Sequence, residues 1–223
     1  MTTSGDLKQW EIRAALRAMA RSRETSSRPS PAEALVAAAS EIIRESDDFT
    51  LKQVSQRSGV ALETLYRHFA SKDELVLAVL EHTVVDSVER IVKEVGDTED
   101  PVGRLELLVL APFRLPVHPE RRRTVAWRAR ERQRLLARFP REVESGSDAY
   151  LAAITDALTS ARDAGLIDTD DVELDALLIQ QQVRTTYYEL HARGFNFGPE
   201  RVGRRVWEYV SRGLALGRRH AVS

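Results

Sequence analysis

Apolar residues recur along this chain at intervals of three and four positions, and the strict alternation typical of a strand is nearly absent. The segment 31–45 illustrates the pattern, because its apolar positions fall on one face of a helix: Leu35, Ala38, Ala39 and Ile42. Glycine and proline are sparse. The pattern therefore predicts an all-α fold.

The starts of the first helices carry capping boxes, in which a hydroxyl caps the helix and a Glu or Gln three residues later reaches back. The predicted boxes are Ser30 with Glu33, Thr50 with Gln53, and Ser71 with Glu74. Gly59 suits the left-handed turn that ends a helix. The predicted helices are 31–45, from 51 to Gly59, 61–68, and one from 72 to beyond 88.

Five further helical segments follow the loop near Gly96 and Pro101: 102–114, 119–138, 142–164, 171–193 and 199–218. The sequence therefore predicts about nine helices in total. A polar, flexible extension covers 1–29, and its residues 7–19 have the pattern of one additional short helix. A helix-turn-helix three-helix domain spans 30–80, and a larger helical bundle for effector binding and dimerisation spans 81–223.

Two short helices joined by a tight glycine turn and packed on a preceding helix meet the physical requirements of a DNA-binding helix-turn-helix. Its small core is predicted from Val54, Val60, Leu65 and Phe69. The chain as a whole has a net charge of −1, but the window 50–72 holds four cations against Glu63 alone. A locally basic surface inside a neutral chain favours a DNA contact at this place.

The run from Phe49 to Leu75 resembles the DNA-binding domain of TetR-family regulators. The matching features are Gly59-Val60, Thr64-Leu65-Tyr66, His68-Phe69, and Lys72 followed by Leu75. The resemblance covers about residues 31–80 and implies a transcriptional regulator, with repression more usual than activation. The helical remainder carries no diagnostic motif.

The resemblance implies which residues contact DNA. Thr50 and Lys72 lie at helix N-termini, where free N–H groups and the helix dipole favour phosphate, and Tyr66 is a further phosphate contact. The residues expected near base edges are Leu62, Glu63, Thr64 and Arg67. His68 is either a DNA contact or a packed aromatic residue.

The sequence departs from the family at two positions. Ala61 stands where serine or threonine is usual, so the third helix lacks its side-chain cap. Glu63 stands where a small residue is common, and its carboxylate is able to accept a hydrogen bond from cytosine. We therefore expect Glu63 to influence base preference.

The family analogy further implies a homodimer that binds a palindromic operator and is released by a small-molecule effector. The dimer helices would be 171–193 and 199–218, whose apolar faces could equally be intrachain core: Leu174, Leu177, Leu178, Val183, Leu190, Val202, Val206, Val210 and Leu214. Effector-pocket candidates are residues with a polar or aromatic tip within an apolar helix: Phe113, Trp127, Tyr150, Gln181, Arg184, Tyr187 and Tyr188. The identity of the effector does not follow from the sequence.

Catalytic and metal-binding motifs are absent, cysteine is absent, and no enzyme activity, metal or cofactor is expected. Segment 120–141 contains nine arginines, and two interpretations of them stay open. They form either an anion site or ion pairs with the acidic segment 142–175. The first 25 residues lack the apolar block of a signal peptide, and no stretch reaches the length of a membrane span, so a cytoplasmic location is expected. One rival interpretation is a helical enzyme or effector-binding protein whose helix-turn-helix is structural only. A second is a helix-turn-helix protein of another family that acts as a monomer.

Overall fold

The computed structural model describes residues 29–96, 98–114, 118–192 and 197–214. Within them the chain forms ten α-helices and one short 3-10 turn, with no strand. The helices are α1 (Pro31–Glu45), α2 (Leu51–Ser58), α3 (Leu62–His68), α4 (Lys72–Val95), α5 (Pro101–Arg114), α6 (Pro119–Leu135), α7 (Pro140–Glu144), α8 (Asp148–Asp163), α9 (Val172–Ala192) and α10 (Pro199–Gly213). The all-α prediction is confirmed, whereas the predicted extra helix at 7–19 lies outside the described residues.

Side-chain caps explain where the N-terminal helices begin. At α2 the Thr50 hydroxyl accepts the Gln53 N–H at 3.2 Å, and the Gln53 side chain accepts the Thr50 N–H at 2.8 Å. A complete capping box is also present at α1. Only one of the two hydrogen bonds of the third predicted capping box is present. The Ser71 hydroxyl accepts the Glu74 N–H, but the Glu74 carboxylate accepts the N–H of Ala70, at 2.9 Å, instead of that of Ser71.

The predicted single helix at 142–164 is also wrong, which is why the count is ten and not nine. The chain instead forms α7, a 3-10 turn at Ser145–Ser147, and α8. At this turn Gly146 approaches α4 so closely that an added Cβ would lie 3.2 Å from the Cβ of Val84. The predicted helix 119–138 ends earlier, at Leu135, where α6 gives way to a turn.

The described residues form two compact units. The first contains 29–86 and 118–146, and so includes α1 to α3, most of α4, α6 and α7. Its core joins side chains from every one of these helices, with Phe49, Leu65, Phe69 and Trp127 among the most buried. The predicted functional division at residue 80 stays a prediction, since compactness does not say which residues bind DNA or effector.

The second unit contains 87–114 and 147–214, in which α5, α8, α9 and α10 pack on one another. The buried Tyr150 hydroxyl donates to the Leu108 carbonyl at 2.7 Å and thereby ties α8 to α5. Gly203 of α10 lies directly on α5, because an added Cβ would come 2.8 Å from the Cβ of Phe113. None of the described helices has the length and apolarity needed to cross a membrane.

Candidate nucleic-acid interface

The turn between α2 and α3 is fixed by its backbone and by a small core. Gly59 adopts a left-handed conformation with φ of 71°, which a residue with a Cβ adopts at a cost. Val54, Leu65 and Phe69 are fully buried, and the Ser55 hydroxyl donates to the carbonyl of the half-buried Val60 at 2.7 Å. The predicted core of the helix-turn-helix is therefore confirmed.

The outer face of α3 is solvent-accessible and mixed in character. Tyr66 is 52% exposed and Leu62 39% exposed, and both Glu63 and Arg67 are exposed as well. The Arg67 guanidinium donates to the hydroxyl of the half-buried Thr64 at 2.8 Å. This face presents an acid, a cation, a hydroxyl and a phenol, which are the groups that read base edges and phosphates.

Thr50 and Lys72 stand at the N-termini of α2 and α4, the helices before and after α3, as predicted. The Lys72 ammonium forms an ion pair with Asp48, in which Nζ lies 2.7 and 2.8 Å from the two carboxylate oxygens. Nζ also lies 5.3 Å from the centre of the Phe49 ring. Partial burial raises the pKa of Asp48, but hydrogen bonds from Lys72 and from the Phe49 amide bring it below its ordinary value on balance. His68 is half-buried at the end of α3.

The charge of this surface is lower than the count over 50–72 indicates. Arg57 forms two hydrogen bonds with Glu45 of α1, the shorter at 2.8 Å, and lies 3.7 Å from Glu41. The hydrogen bond and the charge of Arg57 lower the pKa of Glu45. Sequence reasoning missed Asp48 and Glu45 as partners because acids outside the motif were not counted with it.

Several arginines of α6 and of the turn that follows it contact partners inside the first unit. Arg123 and Arg130 donate to backbone carbonyls at the end of α1 and just after it, and Arg134 and Arg138 pair with Asp73 of α4. Arg132 also forms an ion pair with Glu144, which belongs to the acidic segment 142–175. Charge compensation is thus observed both with this segment and with partners near the helix-turn-helix.

A family model describing bacterial regulatory proteins of the TetR family matches residues 34–79. That range contains α1 to α3 and the start of α4, including the exposed face of α3. The chain carries the DNA-binding domain of the TetR family. No curated protein matches the sequence.

Solved structures of transcriptional regulators share the fold of this chain over most of its length. The fatty acid degradation regulator FadR of Bacillus halodurans is 16% identical with a TM-score of 0.66, covering 85% of this chain and 100% of its own. FadR of Bacillus subtilis in complex with stearoyl-CoA is 17% identical with a TM-score of 0.60, covering 81% and 97%. The ketosteroid regulator KstR2 of Mycobacterium tuberculosis is 24% identical with a TM-score of 0.53, covering 86% and 98%. These neighbours are transcriptional regulators.

In the second unit, a group of aromatic residues joins α5 to α9. The rings of Phe113 and Tyr187 meet edge to face with centroids 6.0 Å apart, Tyr188 lies 6.0 Å from Tyr187, and the buried His191 lies 4.5 Å from it. These contacts bring three of the predicted pocket residues together. Phe113 is buried, and the two tyrosines are half-buried.

The other pocket candidates have different surroundings. Gln181 and Arg184 are half-buried and hydrogen-bond to each other on α9. Tyr150 is buried with its hydroxyl already bonded, and burial raises its pKa. Trp127 belongs to the first unit, where its ring lies 6.3 Å from that of Phe49, the residue before Thr50.

The apolar residues of the two predicted dimer helices divide into two sets. Leu174, Leu177 and Leu178 are exposed on α9, with Leu178 at 57%. The remainder face the interior of the second unit, where Val202 is half-buried and the others are buried: Val183, Leu190, Val206, Val210 and Leu214. Only the first set is available to a partner.

Proposed function

We propose that this TetR-family regulator acts in the cytoplasm as a repressor, binds a palindromic operator as a homodimer, and releases it when a small-molecule effector binds. The observation that carries the proposal is the exposed face of α3, flanked by the helix N-termini at Thr50 and Lys72. A recognition helix between two phosphate contacts is the arrangement by which a helix-turn-helix enters the major groove.

Each DNA-facing residue has a role that its position supports. Thr50 and Lys72 contact phosphates on either side of the groove, and the exposed hydroxyl of Tyr66 adds a third contact. Leu62, Glu63, Thr64 and Arg67 stand nearest the base edges, and the half-buried His68 supports the end of the helix. The Arg67 guanidinium donates a hydrogen bond to the Thr64 hydroxyl, so these two groups lie side by side.

The exposed leucines of α9 support the homodimer. Leu174, Leu177 and Leu178 follow the spacing of one helix face, and burying such a stripe against a second copy removes apolar surface from water. We expect Leu177→Arg to lower the molar mass measured by light scattering to that of a monomer. Leu166→Arg, at an exposed leucine outside the stripe, is the control and should leave the mass unchanged.

The effector site is proposed in the second unit around Phe113, Tyr187 and Tyr188, with Gln181 and Arg184 as polar groups. Tyr150 and Trp127 complete the predicted set, although the first is tied to α5 and the second lies beside Phe49. An effector needs to prefer the non-binding conformation by about 2.7 kcal/mol to weaken operator binding 100-fold. Stearoyl-CoA, bound by the Bacillus subtilis FadR, is the first compound to test, followed by native mass spectrometry of the purified protein.

The DNA-binding proposal is tested by fluorescence anisotropy with DNA from upstream of the gene, titrated at several salt concentrations. Affinity should fall steeply with salt, and Lys72→Ala should weaken binding and reduce the slope by about one. Lys93→Ala removes the same charge from the exposed far end of α4 and is the matched control. Equal effects of the two variants would contradict the assignment of Lys72, and a salt-independent affinity would contradict an interface that contacts phosphates.

A further inference from the structure

Helix α1 ends in a group of backbone carbonyls that lack partners within the helix, as every helix does. Here arginines from a distant part of the sequence supply the missing donors. The guanidinium of Arg123 donates to the carbonyls of Arg44 and Glu45 at 3.1 and 2.8 Å, and that of Arg130 donates to the carbonyl of Asp47 at 2.5 Å. The Arg123 side chain also lies 3.6 Å from the Asp47 carboxylate.

These arginines belong to one stripe of α6. Arg123, Trp127, Arg130 and Arg134 follow one another at intervals of four, three and four residues, so they share a face of the helix. Between the two carbonyl-binding arginines, the buried Trp127 packs against Phe49. The stripe therefore contacts the whole segment that leads from α1 into α2.

The same stripe reaches the other flank of the helix-turn-helix. Arg134 lies 2.8 Å from Asp73, the residue after Lys72, and its Nε donates to the buried Glu131 at 2.7 Å. Glu131 in turn accepts from Arg130 at 3.2 Å. One connected set of ion pairs and hydrogen bonds thus runs from the backbone carbonyl of Asp47, three residues before Thr50, to the carboxylate of Asp73, the residue after Lys72.

We propose that Arg123 and Arg130 are positioning residues for operator binding, which fix the α1–α2 corner and so set where Thr50 meets the DNA backbone. This inference rests on the proposed DNA-binding function. Phosphate contacts set the register of a protein on the duplex, so a loosened corner weakens binding although neither arginine touches DNA. Both side chains are exposed, so we expect them to affect the local order of the corner more than the stability of the whole unit.

The test compares two double variants that remove the same charge. Arg123→Ala/Arg130→Ala removes the stripe's carbonyl donors, whereas Arg122→Ala/Arg141→Ala removes two exposed arginines from the same region. We expect the first pair to weaken operator binding about tenfold with an unchanged salt slope, and the second to change it little. The single variant Arg130→Ala is measured beside them and should weaken binding about threefold, so a poorly folding double variant does not end the test.

Hydrogen exchange of the DNA-free protein supplies the second readout. Peptides covering residues 44–53 should exchange several-fold faster in Arg123→Ala/Arg130→Ala, with the second unit unchanged. Equal affinities of the two double variants, unchanged exchange at the corner, or a salt slope lowered by about two would each overturn the inference, the last because it assigns the arginines to direct phosphate contacts. Absence of operator binding by the unaltered protein would instead overturn the proposed function, and the exchange experiment would still report on the corner.

Discussion

Replacing Ala61 by serine should stabilise the recognition helix. Ala61 is the N-cap of α3, with an extended backbone (φ −58°, ψ 142°) and no side-chain hydrogen bond. It is exposed, so a hydroxyl meets no steric obstacle from the core. Thr50 shows in the same domain what the missing group does, since its hydroxyl accepts the Gln53 N–H at the start of α2.

The magnitude follows from the single hydrogen bond that is added. A serine N-cap in place of alanine typically contributes about 1 kcal/mol, here through an acceptor for the N–H of Thr64. In a domain of 150–250 residues that free energy raises Tm by about 2–4 °C. The helix is short, so its stability depends strongly on how its first turn is capped.

The assay is thermal unfolding followed by circular dichroism at one fixed protein concentration, because dimerisation makes Tm depend on concentration. Ala137→Ser is the matched control, since it adds the same hydroxyl at an exposed position in the turn after α6. An unchanged or lowered Tm for Ala61→Ser, or an equal rise for the control, would show that the missing cap does not limit the stability of the protein.

Three further outcomes follow from particular contacts. Gly203→Ala should lower the free energy of unfolding by about 1–3 kcal/mol in denaturant titrations, because its Cβ would lie 2.8 Å from that of Phe113. Glu63→Gly should change the base preference found by binding-site selection, since a carboxylate accepts from cytosine and glycine does not. Glu45→Gln should lower Tm slightly near neutral pH. Arg57 lowers the pKa of Glu45, so the ion pair stabilises the fold at every pH above the ordinary pKa of the carboxyl group.

Each of these outcomes has its own control. Gly213→Ala adds a methyl group where no atom of the described structure lies within 4 Å, so it should not destabilise. An identical selected sequence for Glu63→Gly would exclude a role in base preference. The Tm difference between Glu45→Gln and the unaltered protein should shrink as the pH falls through the lowered pKa, and a difference that grows in acid would contradict the ion pair.

The sequence predicted the local features of the DNA-binding unit well, because caps and a glycine turn act over a few residues. Thr50 and Gly59 do what their residue types favour at these positions. The partners of Lys72 and Trp127 could not be predicted in this way, because Asp48 and Phe49 lie more than 20 residues distant and meet them only through tertiary packing.

The same limit applies to the bundle. Apolar periodicity placed α9 and α10 but could not say which leucines face a neighbour within the chain, since core and interface use the same residue types. The structure separates the exposed Leu174 and Leu178 from the buried Leu190. The break in the predicted helix 142–164 was missed although Gly146 disfavours a helix locally. The close approach of Gly146 to Val84 could not be predicted from the local sequence.

Binding-site selection from random duplex DNA tests whether a pair of these helix-turn-helix domains binds a symmetric operator. We expect a palindrome to be enriched, bound by two copies of the chain, with Tyr66→Ala and Lys72→Ala both weakening binding to it. Enrichment of an asymmetric sequence bound by one copy, or no enrichment at all, would contradict the account.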